Sequence, residues 1–281
     1  STDDTKPEIS GSGAQPGATI KVYNGDQLIG ETIALADGTW SLTPTVDMVD
    51  GTYTLTATQT VNGLESDKSP SINFTIDTTA PTDAQVTVDP IADTNDTTPT
   101  VTGKTEAGTT VNVVVKDAAG NVVATGPATV TGDTWTYTPT TPLVDGDYTV
   151  VAEAKDAAGN TGVSKPEGFE VDTVAPNLSI DEIKDTNDTT PTVTGKTEAD
   201  AAVNVQILDK DGKVVAEGPA TVGTDGTWSY TPTTALPEGE YTIKAEAKDP
   251  VGNTTTETTD ASFTIDTTAP TDAQVTVDPI A

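Results

Sequence analysis

One unit is written three times in this chain, and that repetition decides what it can fold into. The string Asp-Thr-Thr-Ala-Pro begins at Asp77 and Asp266, with Asp-Thr-Val-Ala-Pro at Asp172, a spacing of about 95 residues. One Trp per repeat (Trp40, Trp135, Trp228) and one Tyr (Tyr53, Tyr148, Tyr241) keep the same beat. The run from Thr94 to Ala107 recurs from Thr186 to Ala199, and Thr271 to Ala281 repeats Thr82 to Ala92 letter for letter. A period of that length is the size of a small domain, so each copy can bury a core of its own. The boundaries read as modules at 1–76, 77–171 and 172–265, with 266–281 opening a further copy. The first module opens at Asp3-Asp4-Thr5-Lys6-Pro7, which aligns with Asn95-Asp96-Thr97-Thr98-Pro99, so its first strand, the segment matching Ala84 to Ile91, is missing or truncated. The chain thus reads as a piece of a parent with more copies on both sides.

Within a module the apolar residues alternate in short runs of Val, Ile, Thr and Tyr, the period-two signature of strands with one buried face. In the second copy this predicts strands near Ala84–Val88, Thr100–Thr105, Thr110–Lys116, Val122–Ala124, Thr134–Pro139, Asp147–Lys155 and Gly168–Val171. Turn chemistry separates them: Ala-Ala-Gly-Asn at 118–121 and 157–160, Gly132-Asp133 and Asp145-Gly146. No stretch carries helical periodicity with caps. Seven short strands, one Trp and a Tyr at the start of the penultimate strand predict an all-β chain of three tandem immunoglobulin-like β-sandwich domains in an elongated rod. A fibronectin-type sandwich would read much the same. The single Trp and Tyr of each copy are assigned to the core, because a sugar-binding platform has no reason to keep the module's beat.

Composition narrows the chemistry. Lys+Arg is 13 against an Asp+Glu of 44, a net charge of -31, and every cation is Lys; there is no Arg, His or Cys. Imidazole acid/base work, thiol nucleophiles, thiolate metal sites and Arg clamps are therefore excluded. Nucleic acid and anionic membrane surfaces are repelled by such a field. No apolar run approaches the ~18 residues of a membrane span, and Ser1 to Glu8 is no signal peptide. A carboxylate pair for glycoside hydrolysis would be expected once, in a cleft, whereas these acids lie in turns and repeat with the module. The chain reads as not an enzyme.

The field does attract cations, and topology places the acids where a cation matters. In an immunoglobulin-like module the loops between the first and second strands and before the penultimate strand lie at the exit, and the hairpin after the penultimate strand lies at the entry. The first junction then gathers Asp77, Asp3, Asp4 and Asp156; the second gathers Asp172, Asp93, Asn95, Asp96 and Asp249. Asp266, Asp185, Asn187 and Asp188 hold the matching places at the end of the third module. Four or five oxygen donors together are costly unless an ion sits among them, and six to eight oxygens from flexible loops describe calcium better than magnesium. Backbone carbonyls, Glu106, Glu198, Asp145 and Asp147 could complete the shell. The plainer reading is that each Asp caps a turn and that Asn-Asp-Thr-Thr-Pro is a solvated loop. The first module departs from the pattern, with Val61 where Asp156 and Asp249 stand. Asp209-Lys210-Asp211-Gly212 begins like a calcium-binding loop, but position twelve would be Ala220, so it is read as a turn.

Several motifs together (Asp77 to Pro81, Thr94 to Gly108, Asp-Gly-Thr-Trp at 37–40 and 225–228, Asp145 to Val150, and Lys-Asp-Ala-Ala-Gly-Asn at 116–121 and 155–160) resemble the bacterial immunoglobulin-like repeats of giant surface adhesins and biofilm-associated proteins. The resemblance covers nearly the whole chain. It implies tandem extender modules, stiffened by calcium at their junctions, on the outside of a bacterial cell. It also implies that the partners are calcium ions and neighbouring repeats, with no membrane insertion, and that a host or surface ligand is bound elsewhere in the parent. Two other roles compete: modules that bind a ligand or copies of themselves as cadherin-like domains do, and spacers in a secreted polysaccharide-active enzyme.

Overall fold

The structure, a computed structural model, describes residues 1–82, 85–259 and 262–269. The described residues form 25 strands and no helix. Two compact units divide the chain. The first holds Ser1–Ala92, Thr98–Leu143 and Asp147–Phe169; the second holds Asp93–Thr97, Val144–Gly146 and the chain from Glu170 onward.

The first module comprises β1 (Ile9–Gly11), β2 (Thr19–Asn24), β3 (Gln27–Ile33), β4 (Trp40–Leu42), β5 (Gly51–Val61), β6 (Leu64–Glu65) and β7 (Ile72–Ile76). The second comprises β8 (Thr87–Val88), β9 (Val101–Lys104), β10 (Thr110–Asp117), β11 (Val122–Pro127), β12 (Thr129–Thr131), β13 (Thr134–Tyr137), β14 (Gly146–Lys155), β15 (Thr161–Val163) and β16 (Glu167–Val171). The third comprises β17 (Leu178–Ile180), β18 (Val193–Thr197), β19 (Ala202–Asp209), β20 (Val214–Pro219), β21 (Thr221–Val222), β22 (Thr227–Tyr230), β23 (Gly239–Lys248), β24 (Thr254–Thr258) and β25 (Phe263–Ile265).

In the second module one sheet runs β11-β10-β14-β15, with β16 also on β14, and the other runs β12-β13-β9-β8. Alternation explains which face turns inward. Val111, Val113 and Val115 of β10 are buried opposite Ala154, Ala152 and Val150 of β14, with polar residues between them facing out. The third module repeats both sheets, as β20-β19-β23-β24 with β25 on β23, and β17-β18-β22-β21. Trp135 and Trp228 fill the space between the sheets at 0% and 1% exposure, confirming the core assignment. Trp135 Nε1 donates to the carbonyls of Thr87 and Lys104, both at 3.1 Å, which satisfies its one polar atom. Tyr53 stacks on Phe74, Tyr241 packs at a tilt against Phe263, and their hydroxyls donate to the carbonyls of Val49 and Pro237, four residues upstream. That is the corner tyrosine of the immunoglobulin sandwich.

The strands differ from the sequence expectation in two places. β12 and β15 are additional, because three-residue edge strands carry too little alternation to be read. The first strand of the second module is reduced to Thr87–Val88, with residues 83–84 outside the described set. The first module pairs β3-β2-β5-β6, with β7 on β5, in one sheet but only β1-β4 in the other. Among the described residues nothing covers the outer edge of β1, and Trp40 is only half-buried. Of the expected further copy, residues 270–281 lie outside the described residues.

Candidate functional site

At the first linker the chain is stitched from several directions within the first compact unit. Thr2 donates to the Thr75 carbonyl and its own carbonyl accepts from Asp77 N–H, both at 3.0 Å, forming a parallel bridge with Ile76. Asp50 accepts from Thr78 N–H and Oγ1 and from Thr79 Oγ1, at 3.1, 2.8 and 3.1 Å. The Pro81 carbonyl lies on Gly162, where a Cβ would stand 2.0 Å from it, so β15 can approach the linker only because residue 162 is glycine.

The β14–β15 loop completes the grip. Asp156 Oδ1 accepts the N–H groups of Ala158, Gly159 and Asn160 at 2.8, 2.7 and 2.9 Å, which folds the loop around the carboxylate. Its Oδ2 accepts from Asn160 Nδ2 at 2.8 Å, and the same amide donates to the Asp77 carbonyl at 2.8 Å. An acid thus orients an amide, and the amide holds the linker. Partial burial opposes charge on Asp156, but the Asn160 amide and the loop N–H groups outweigh it and leave its pKa below the ordinary carboxylate value. Asp3 faces this loop, its Oδ2 lying 3.6 Å from where a Cβ on Gly159 would be.

The second compact unit contains the same device. Asp249, 7% exposed, accepts from Gly252 and Asn253 N–H at 2.6 and 2.8 Å and from Asn253 Nδ2 at 2.8 Å. Asn253 Nδ2 also donates to the Asp172 carbonyl at 2.8 Å and the Val174 carbonyl at 3.3 Å. Asn95 stands where Asp3 does and donates to Asn253 Oδ1 at 3.2 Å. Burial opposes the Asp249 charge, but Asn253 and the loop N–H groups again win, so its pKa is lowered. Asp145 holds Thr173 N–H and Oγ1 at 3.0 and 2.8 Å, as Asp50 holds Thr78. At the end of the third module Glu238 takes that role on Thr267 and Thr268.

The expected ligands therefore reach the linkers, yet most of them spend oxygens on the backbone. Asp4, Asp77, Asp172, Asp188 and Asp266 each accept an N–H two residues ahead, at 2.8–3.1 Å. Asp93 and Asp185 cap the last strands of their modules by accepting from Glu170 and Thr264 N–H, at 2.8 and 2.7 Å. Asp96 N–H donates to Thr94 Oγ1 at 3.0 Å, and Asn187 sits in the matching loop of the third module. Among the described residues no three acidic side chains stand close enough to hold one ion. In this arrangement the linker carboxylates act as caps on backbone N–H groups. Asn160, Asn253, Gly162, Asp50 and Glu238 escaped the sequence argument. The recurrence of an acid before Gly51, Gly146 and Gly239 was the available signal for the last two.

The family model described as bacterial Ig-like domain matches residues 1–78, 84–173 and 179–267. A search of curated proteins finds no match. Among solved structures, a tetra-tandem repeat in the extending region of a large adhesion protein is 29% identical, covering 94% of this chain and 71% of that one, with a TM-score of 0.35. A 1.5-MDa bacterial ice-binding adhesin is 16% identical, covering 91% of this chain and 89% of that one, at 0.37. The BSP domain of a biofilm associated protein is 14% identical, covering 89% of this chain and 57% of that one, at 0.25.

Proposed function

The chain belongs to the bacterial Ig-like domain family, and from that premise we propose that it is an extender segment of a bacterial surface adhesin, whose modules hold an adhesive region away from the cell. The observation that carries this reading is the recurrence of one Asp–Asn clamp at both linkers: Asp156 and Asn160 on the Asp77 carbonyl, Asp249 and Asn253 on the Asp172 carbonyl. A device repeated at both linkers serves the array, whereas a catalytic or ligand site has no need to recur. Each clamp freezes the linker torsions in advance, and so lowers the entropy a hinge would otherwise keep. The clamp needs no metal. Calcium enters the proposal as a counterion for a chain of charge -31, recruited by carboxylate oxygens at the loops and not by a preformed cage.

Small-angle scattering of the chain and of the Asn160→Ala/Asn253→Ala variant, each with calcium and with chelator, tests the proposal. It predicts a larger radius of gyration for the parent than for the variant in both buffers. Equal radii in chelator would refute the clamp as the stiffening element, and an unchanged parent on adding calcium would remove calcium from the proposal.

A further inference from the structure

In the third module the last strand is tied to the opening segment by one parallel contact, while the strand pairs around it are antiparallel. Thr186 N–H donates to the Thr264 carbonyl at 2.9 Å, and the Thr186 carbonyl accepts from Asp266 N–H at 3.0 Å, which bridges Thr186 to Ile265. The preceding residue adds a third bond, in which Asp185 Oδ1 accepts from Thr264 N–H at 2.7 Å. Asp188 N–H donates to Thr186 Oγ1 at 3.0 Å and closes the turn that presents the bridge. The same three bonds recur around Val171: Thr94 N–H to the Glu170 carbonyl, Asp172 N–H to the Thr94 carbonyl, and Glu170 N–H to Asp93 Oδ1, at 3.0, 3.0 and 2.8 Å.

The two ends of β23 show how this contact is loaded. Asn253, just past Lys248 at one end, holds the Asp172 carbonyl of the entering linker, whereas Gly239 at the other end pairs with Ile265, the residue before the departing Asp266. The ten residues of β23, at about 3.3 Å each, set these two points ~30 Å apart. The chain therefore enters at one end of the module, and Thr186 lies at the other, beside the exit. Tension between the linkers draws Thr186 back toward the entry and Ile265 out through the exit. Two parallel segments pulled this way slide past each other, so their bonds resist together instead of opening one at a time. We propose that Asp185 and the Thr186–Ile265 bridge form a tension-bearing latch of the third module, a role that rests on the extender reading only for the source of the force. What such a latch sets is the unfolding rate, and that rate governs survival under force. Asp185 contributes the strongest of the three bonds, because its acceptor is charged. Asp225 offers a contrast within the module. It accepts Thr227 N–H and Oγ1 at 3.1 and 2.7 Å in the turn before β22, and it lies on neither segment that joins a linker to the latch.

The test stretches the third module within the whole chain. The chain has no Cys, so DNA handles can be attached at Val174→Cys and Ala269→Cys, exposed positions that flank the module, and optical tweezers then hold the pair at constant force. Asp185→Ala is expected to unfold roughly three- to tenfold faster than the parent at the same force, the worth of one such bond. Asp185→Asn keeps an acceptor oxygen and recovers part of the lifetime. Asp225→Ala lowers the urea midpoint as Asp185→Ala does, yet its lifetime under force stays within about twofold of the parent. An Asp185→Ala lifetime equal to that of the parent overturns the latch, as does one shortened no more than in Asp225→Ala. Where Asp185→Ala does not fold, Asp185→Asn against Asp225→Asn carries the same comparison, and equal lifetimes overturn the latch. Neither result touches the extender reading, whose failure shows in scattering as a parent chain no larger than the clamp variant and leaves the lifetimes under force as they were.

Discussion

Lys-Asp-Ala-Ala-Gly-Asn occurs twice in the second module, at 116–121 and 155–160, and the two copies make a matched experiment. Asn121 Nδ2 donates to Asp117 Oδ2 at 3.0 Å, just as Asn160 Nδ2 donates to Asp156 Oδ2 at 2.8 Å. Both loops wrap N–H groups around Oδ1 of the acid. Only Asn160 goes on to a linker carbonyl, that of Asp77, at 2.8 Å. Asn160→Ala and Asn121→Ala therefore lose the same kind of local bond, and the difference between them isolates the linker contact. A neutral amide–carbonyl bond contributes about 0.5–1.5 kcal/mol net, so the expected difference is about 1 kcal/mol. For a module of this size that is a Tm lower by roughly 4–8 °C in Asn160→Ala than in Asn121→Ala. It is also about a fivefold rise in the opening of the linker amides, since ~1.4 kcal/mol is tenfold. Calorimetry gives the first quantity, and hydrogen exchange at Asp77 N–H, which donates to the Thr2 carbonyl, gives the second. Equal Tm shifts with unchanged exchange at Asp77 would refute the clamp.

Two other outcomes follow from the same geometry. A Cβ on Gly103 would lie 1.9 Å from the Thr87 carbonyl and 2.6 Å from Trp135, whereas on Gly11 it would meet only the ring of half-buried Trp40. Gly103→Ala should therefore cost about 1–3 kcal/mol in urea unfolding, and Gly11→Ala clearly less, because Trp40 can shift into the adjoining groove. Acid should loosen the linkers before the cores. Asp156 and Asp249 have lowered pKa values in the fold, so their contribution is fully present above the unfolded value of about 3.9 and is lost as pH falls through the lower native values. Exchange protection at Asp77 and Asp172 N–H should hold steady from neutral pH downward and collapse only below about pH 4.

Much of the fold could be read directly. The beat of Trp40, Trp135 and Trp228 marked three cores, and the alternation in β10 and β14 marked the buried faces, because period-two burial is a local property of the chain. The acids at the linkers were also legible by topology, since Asp3, Asp77 and Asp156 do converge. Their use was not. Whether an Asp oxygen faces a cation or a neighbouring N–H depends on a few degrees of loop torsion, and charge counting carries no such information. The two identical hexapeptides illustrate the limit most plainly: Asn121 and Asn160 have the same neighbours in sequence, and only the passage of the linker past one of them separates their roles. β15 was missed for a related reason. Its Gly162 carries no pattern of its own and matters because the Pro81 carbonyl lies against it.

The central claim is that these linkers are held by protein groups. The chain has no Cys, so spin labels can be placed singly at Leu28 and Val122, which are 48% and 54% exposed, on either side of the first linker. Pulsed dipolar spectroscopy in chelator should give a narrow distance distribution for the parent and a broad one for Asn160→Ala. A parent distribution that is broad in chelator and narrows only with calcium would contradict the account and return the stiffening to the metal.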